Sequence, residues 1–413
     1  MELYNIFEQC TGVTTDSRRV SEGVLFVALR GENFDGNRFA VQALKDGAAY
    51  AVVDNVEVVN RAGEWSDRLI LVDNTLSALQ SLAAQHRREL AIPIIGIVGS
   101  NGKTTTKELV SRVLAEKFEV YATRGNLNNH IGVPLTLLAM TRDTEFGVVE
   151  MGASAQKEIE LLCSISQPNY GIITNIGNAH LEGFGGKEGI AKGKGELFDY
   201  LNQNGGIAFV PMEDVTLCDM AVLREDMMTE YYSRAIADGC KSHLSGDYNR
   251  YNIAAAVAVG RYFDIDTERI AAAIESYIPD NNRSQEVTTE RKNRLIIDCY
   301  NANPSSMEVA IANIASKKDE RNLLILGDML ELGEWSHDEH CRILQLAAQV
   351  ENAELLLVGR EFLRAAHTLG IDATCCADSN EAAEWLTQSK INDTTVLLKG
   401  SRGIALEKLI DKL

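Results

Sequence analysis

The chain has 413 residues, 45% of them hydrophobic and 24% charged, the make-up of an ordinary folded protein with room for about two to four domains. No apolar run reaches the roughly 18 residues that span a bilayer, and the start, Met1-Glu2-Leu3-Tyr4-Asn5, lacks the basic and apolar segments of a signal peptide, so a cytoplasmic chain without membrane insertion is expected. A net charge of −19 argues against a nucleic-acid partner, which needs a basic face, yet leaves room for anionic small molecules held by a few local cations.

In chain order, residues 24–29 and 49–53 read as strands, with a short helix at 39–46 ending at Gly47 between them. A strand at 69–72 and a helix at 76–90 complete a first unit, 1–88. The second unit, 89–279, opens on an apolar strand at 92–98. Further apolar strands at 147–150 and 170–174, with helices between them, predict a parallel sheet wound by crossovers. An alanine-rich helix at 251–262 falls late in this unit. A polar, turn-rich break at 277–290 precedes the third unit, 280–413. There strands at 294–299, 322–327, 354–358 and 395–398 alternate with helices at 305–316, 337–350 and from about 403, a doubly wound pattern.

The strand at 92–98 runs into Gly96-Ile97-Val98-Gly99-Ser100-Asn101-Gly102-Lys103-Thr104-Thr105, followed at once by a helical segment, 104–117. Strand, glycine-rich turn, Lys-Thr and helix form a phosphate-binding loop. In such a loop the backbone N–H groups of Gly99 to Thr105 and the helix N-terminus are expected to face a triphosphate, Lys103 to bridge phosphate oxygens, and the Thr104 hydroxyl can hold Mg²⁺. Ile97 stands where the strict G-x-x-x-x-G-K-[ST] pattern has glycine, so this is a variant loop.

Other strand ends carry polar groups. Glu150 closes the run Val148-Val149-Glu150, placed to face a crevice and hold a metal ion or its water, or else to cap a helix. His180 and Glu182 follow a strand in a glycine-rich loop, where imidazole is either a metal ligand or a hydrogen-bonder. Lys192 and Lys194 read as a solvated helix face, or as a lysine that takes up CO₂ and shares a metal as an anion. Asn126, Asn128 and Asn129, in a loop leading to a helix, offer amides to a sugar or peptide, or form turns. Asp298, Tyr300, Asn301 and Asn303 follow one strand of the third unit; Lys399 and Arg402 follow another and suit a carboxylate. The segment Ser336-His337-Asp338-Glu339-His340 reads as a solvated helix start. Eight scattered cysteines without metal spacing read as free thiols.

Taken together, these segments resemble the Mur ligases, the ATP-dependent amino-acid-adding enzymes of peptidoglycan assembly. The resemblance spans the chain. It rests on Thr15-Asp16-Ser17-Arg18, residues 28–36, the loop 125–138, residues 298–304, Leu326-Gly327-Asp328-Met329-Leu330-Glu331-Leu332-Gly333 and residues 399–402. It implies an α/β chain of three domains: 1–88 for a UDP-sugar, a central P-loop parallel-sheet ATPase domain at 89–279, and a C-terminal Rossmann-like domain at 280–413 for the incoming amine. It further implies that Lys103, His180 and Lys194 are catalytic, with Lys194 carbamylated, and that Thr104, Glu150, His180 and Lys194 serve Mg²⁺. Asn249 and Asn252 match an adenine-side pair, Arg283 an arginine facing the nucleotide, and Asp298 a ribose contact. Tyr248 stands where relatives commonly have His, and Val98 where they often have Thr.

The substrates implied are ATP, UDP-N-acetylmuramoyl-tripeptide and D-alanyl-D-alanine, with Ser17, Arg18, Asn126, Asn128, Asn129, Tyr300, Asn301, Asn303, Lys399 and Arg402 contacting the last two. A monomer acting on small molecules is expected. A ligase adding the third amino acid, a folylpolyglutamate synthase and a nucleotide-switch protein are the alternatives. The asparagine loop and Lys399-Gly400-Ser401-Arg402 argue against the first two. The third unit, and the lack of an Asn-Lys-x-Asp motif, argue against the last.

Overall fold

The computed structural model describes residues 2–244, 246–279, 283, 285–316 and 321–413. Three larger sheets follow one another along the chain, besides a two-stranded antiparallel pair of Arg30–Gly31 and Phe34–Asp35. In the first, the strands Val13–Thr14, Leu25–Val27, Tyr50–Val53 and Leu69–Leu71 lie side by side in that order, all parallel. The helix Thr75–Leu90 leaves this sheet, started by Asn74, whose side chain accepts from the Ser77 N–H. Two of its residues fasten it to the second unit. The Arg87 guanidinium, buried, donates to the Ser166 and Gln167 carbonyls and to Asn169 Oδ1 at 2.9–3.0 Å. His86 bridges the Tyr4 hydroxyl and the Met140 carbonyl.

The central sheet has the order Met228–Tyr232, Ile207–Pro211, Tyr170–Ile173, Ile94–Val98, Phe146–Glu150, Val120–Ala122, all parallel. Every residue of Ile94–Val98 and Phe146–Glu150 is buried, because helices cover both faces; such strands read as continuous apolar runs rather than alternations. The chain enters this sheet near its middle and then fills both sides. The carboxyl ends of Ile94–Val98, Phe146–Glu150 and Tyr170–Ile173 therefore open side by side onto one crevice.

The third sheet has the order Gln285–Thr288, Arg294–Asp298, Thr395–Lys399, Asn322–Gly327, Ala353–Val358, Thr374–Cys376, with only the first strand antiparallel. The last strand of the chain is inserted between two earlier ones. Asp298 pairs in register with Lys399, and Lys399 with Leu326. Three segments flagged from sequence thus leave three adjacent strand ends.

Two expectations from the sequence are corrected in the third unit. The closing helix from about 403 is a pair of 3₁₀ segments, Arg402–Ile404 and Leu406–Lys412, broken by Ala405 at φ 57°. His340 is not solvated: it is fully buried and packs edge-on against Phe362. The turn-rich break at 277–290 includes residues 280–282 and 284, which lie outside the described residues. Among the described residues no helix is long and apolar enough to cross a membrane, and all eight cysteines are free.

Candidate active site

The phosphate loop joins the strand Ile94–Val98 to the helix Lys103–Ala115. Two of its glycines are dictated by space. At Gly99 a Cβ would lie 1.9 Å from Thr174 Oγ1, and at Gly102, with φ +80°, 2.6 Å from Asn252 Oδ1. The loop is held by the neighbouring strand's exit: Ser100 N–H donates to the Asn175 carbonyl, Asn101 N–H to Asn175 Oδ1, and Ser100 Oγ to the Gly177 carbonyl. Thr104, Thr105 and Thr106 are buried in the first helical turn. Asn252 accepts from Thr106 Oγ1 and donates to Asn249 Oδ1, so this asparagine pair braces the loop from beneath.

Lys103 folds back on its own loop, its Nζ donating to the Gly99 and Ser100 carbonyls at 2.6 and 3.1 Å. Burial pushes its pKa down to about 8; Glu150 opposes the shift and Arg283 adds to it. Carbonyls satisfy an ammonium only partly, so phosphate oxygens would be the stronger partners.

Glu150 is 1% exposed. Its Oε1 accepts from Asn128 Nδ2 at 2.8 Å, while Oε2 is buried with no hydrogen-bond partner among the described residues. A buried carboxylate oxygen without a donor is costly, and a cation relieves that cost. The donor set therefore fits Mg²⁺, which takes one or two carboxylates and fills its octahedron with water and phosphate. Among the described residues no three His, Cys, Asp or Glu side chains gather into an all-protein cage.

His180, at φ 56°, opens the short helix Leu181–Phe184, and its Nδ1 meets the Glu331 carboxylate of the third unit. That contact holds the Glu331 carboxyl below its ordinary pKa. Lys194 is 1% exposed; its Nζ donates to the Ala153 carbonyl at 3.0 Å and sits 4.8 Å from the centre of the Phe184 ring. Burial first, then Lys103, pushes its pKa down to about 7, against Glu158 and Glu196. Lys192, two positions away, is exposed.

Across the crevice, Lys399 is 1% exposed and ion-paired with Asp298 at the adjacent strand end. The expected pair of free cations is thus met only at Arg402. Tyr300 lies under two guanidiniums, Arg283 at 3.9 Å and Arg402 at 5.3 Å from the ring centre. Asn303 caps the helix Pro304–Ala315 and also donates to Asn101 Oδ1 at 2.7 Å; Ser305 Oγ accepts from the Asn178 N–H at 2.7 Å. Asn301 Oδ1 is turned to the Ala302 N–H.

One cavity of about 1050 Å³ gathers Ser100, Asn101, Gly102, Lys103, Thr105, Asn128, Asn129, Glu150, His180, Asn249 and Asn252 from the central unit. Arg283, Asp298, Tyr300, Asn301, Asn303 and Lys399 also line it. Gly99, Thr104, Asn126, Lys194 and Arg402 are not among the residues that line it. Ser17 and Arg18 sit on a turn of the first unit, where Arg18 pairs with Asp16 at 2.8 Å. Sequence reasoning missed the part played by Glu331, whose one sequence signal is its place in the 326–333 segment, and by Asn175, which holds the phosphate loop.

A phosphate loop faces a second α/β unit across a shared cavity, an arrangement that suits an ATP-dependent ligase better than a lone nucleotide switch. Three family models match in sequence order: the Mur ligase family catalytic domain at 9–87, the Mur ligase middle domain at 97–233, and the Mur ligase glutamate ligase domain at 282–402. The chain belongs to the Mur ligase family. It is 34% identical over 428 residues to the UDP-N-acetylmuramoyl-tripeptide–D-alanyl-D-alanine ligase of Bacillus subtilis (strain 168), covering 97% of this chain and 93% of the relative. The crystal structure of MurF from Acinetobacter baumannii superposes with a TM-score of 0.85 at 28% identity, over 97% of this chain and 92% of that one. MurF ligase from Thermotoga maritima in complex with ADP gives 0.83 at 25% identity, over 99% and 97%.

Proposed function

We propose that this enzyme joins D-alanyl-D-alanine to UDP-N-acetylmuramoyl-tripeptide with ATP, in peptidoglycan precursor synthesis. The observation that carries the reading is the shared cavity, in which Lys103 and the unpartnered Glu150 oxygen face the strand ends of the third unit. In this reading 1–88 holds the UDP-sugar, 89–279 the ATP and 280–413 the dipeptide. The enzyme works in the cytoplasm as a monomer.

Lys103 leaves its loop carbonyls for the phosphates, with the backbone of Gly99 to Thr105 cradling them. Glu150, Thr104, His180 and a carbamylated Lys194 would hold Mg²⁺, which when bound offsets charge on the transferring phosphoryl group. The tripeptide's terminal carboxylate attacks the γ-phosphorus, giving an acyl phosphate and ADP. The dipeptide amine then attacks the acyl carbon, loses a proton and expels phosphate from the tetrahedral intermediate. Arg402 and Tyr300 serve the dipeptide, with Asn301 and Asn303 beside them. Lys399 acts there through Asp298, which also faces the ribose. Asn249 and Asn252 lie toward adenine, and Arg283 toward the phosphates. Ser17, Arg18, Asn126 and Asn129 serve the UDP-linked peptide. The units must close to exclude water, because an acyl phosphate hydrolyses readily.

The test is ADP release with tripeptides carrying diaminopimelate or lysine at position three, each with and without D-alanyl-D-alanine. Full turnover requires both substrates; ADP release as fast without D-alanyl-D-alanine as with it would overturn the reading.

A further inference from the structure

The three asparagines of the loop before the helix Gly132–Leu138 do different work. Asn129 Oδ1 accepts from the Ile131 and Gly132 N–H groups, a local cap. Asn126 lends its carbonyl to the Asn128 N–H. Asn128 turns inward. Its Nδ2 donates to Glu150 Oε1 at 2.8 Å, and its carbonyl accepts from the Gly152 N–H at 2.7 Å. An ionised carboxylate only accepts, so the amide atom facing it is the donor nitrogen. The amide is wedged in place: a Cβ at Gly152 would lie 3.0 Å from Asn128 Cγ.

The backbone of Glu150 is fixed by the same surroundings. Its N–H donates to Thr123 Oγ1 at 3.0 Å, and the buried Lys107 ammonium holds the Thr123 carbonyl at 2.7 Å. One carboxylate oxygen is thus tied and the other, on a residue of the cavity wall, is not.

We infer that Asn128 is a positioning residue for Glu150: it pins one oxygen of the carboxylate so that the other is presented to the divalent cation that accompanies the nucleotide, and it does not contact the UDP-linked peptide. This rests on the functional reading above and assigns the chain's own support for its metal site. A partner that orients a ligating carboxylate typically contributes about 10- to 100-fold in metal affinity.

The experiment uses Mn²⁺ as the probe. Its binding to the full-length enzyme with ADP is followed by electron paramagnetic resonance, independently of turnover. Two variants separate donor from packing: Asn128→Ala empties the space beside Gly152, and Asn128→Leu fills it without a donor. Both are expected to weaken Mn²⁺ binding about 10- to 100-fold. ADP affinity in chelator and the KM for UDP-tripeptide should stay near the parent values. In a Glu150→Ala background, either substitution should add nothing. Parent-like Mn²⁺ binding with a raised KM for UDP-tripeptide would overturn the inference, as would Mn²⁺ binding lost in Asn128→Ala and retained in Asn128→Leu. A parent enzyme that binds Mn²⁺ with ADP but forms no amide product would sink the functional reading and leave the positioning role standing.

Discussion

Replacing Asn303 by serine separates two tasks that one side chain performs. Its Oδ1 accepts from the Ser306 N–H at 2.9 Å, closing the capping box of the helix Pro304–Ala315. Its Nδ2 donates to Asn101 Oδ1 at 2.7 Å, in the phosphate loop 202 positions earlier. Serine remains a good cap but is too short to reach Asn101; alanine loses both contacts. A cap contributes about 1 kcal/mol, and a neutral hydrogen bond about 1 kcal/mol. Asn303→Ala should therefore destabilise the third unit and its docking by about 2 kcal/mol together, and Asn303→Ser should restore roughly half. The docking half corresponds to about a fivefold shift in the equilibrium that brings the two units together, since 1.4 kcal/mol is tenfold. The assay is a double-mutant cycle of Asn101→Ala and Asn303→Ser, read in kcat/KM for D-alanyl-D-alanine and in thermal melting. A coupling near 1 kcal/mol is expected. Effects that add to within about 0.3 kcal/mol would refute the claim that this amide pair joins the nucleotide loop to the third unit.

Lys103→Ala should abolish phosphoryl transfer while leaving the melting temperature near that of the parent; near-normal turnover at saturating ATP would contradict the phosphate assignment. Lys194, with a pKa pushed down to about 7, is largely a free amine above that pH, and CO₂ adds only to the neutral amine. The carbamylated mass of the intact protein under CO₂ should therefore rise from pH 6 to pH 8 and be absent in Lys194→Ala, whose activity short carboxylates should partly restore. An unmodified Lys194 at pH 8 in an active enzyme would end that assignment. His340 accepts the Met329 N–H at Nε2 (3.0 Å), so it is neutral and donates from Nδ1 to the Ser336 carbonyl (2.7 Å). Burial holds its pKa below the ordinary 6.5, with Asp328 and Glu361 opposing and His337 adding. The unfolded chain takes up this proton below about pH 6.5 and the folded chain resists it, so the residue's contribution to stability falls as pH drops through that value. His340→Gln should be less stable than the parent at pH 8 yet lose less between pH 7 and pH 5; parallel melting profiles would refute the assignment.

What the sequence shows and what it hides divide along physical lines. The phosphate loop was legible because its glycines and Lys-Thr pair are required at fixed spacing by backbone geometry alone. Central strands such as Ile94–Val98 were legible because burial on both faces makes them apolar throughout. The edge strand Met228–Tyr232 was not, since most of its side chains face solvent and carry no pattern. His340 misled because its immediate neighbours are polar, while what buries it comes from elsewhere, above all Phe362. Lys399 was visible as a cation, but its partner Asp298 depends on the last strand being inserted beside Arg294–Asp298, a fact of topology. The contacts of Asn128 with Glu150, and of His180 with Glu331, likewise join separate loops that no local pattern connects.

The central claim is that the tripeptide's carboxylate is activated as an acyl phosphate before the amide bond forms. Its most direct test is oxygen transfer. UDP-N-acetylmuramoyl-tripeptide with ¹⁸O in its terminal carboxylate is turned over with ATP and D-alanyl-D-alanine, and the released phosphate is analysed by mass. An oxygen of the attacking carboxylate ends in the bridge of the acyl phosphate, so one ¹⁸O atom should appear in inorganic phosphate for each amide bond formed. Phosphate free of ¹⁸O, alongside amide product, would contradict the mechanism.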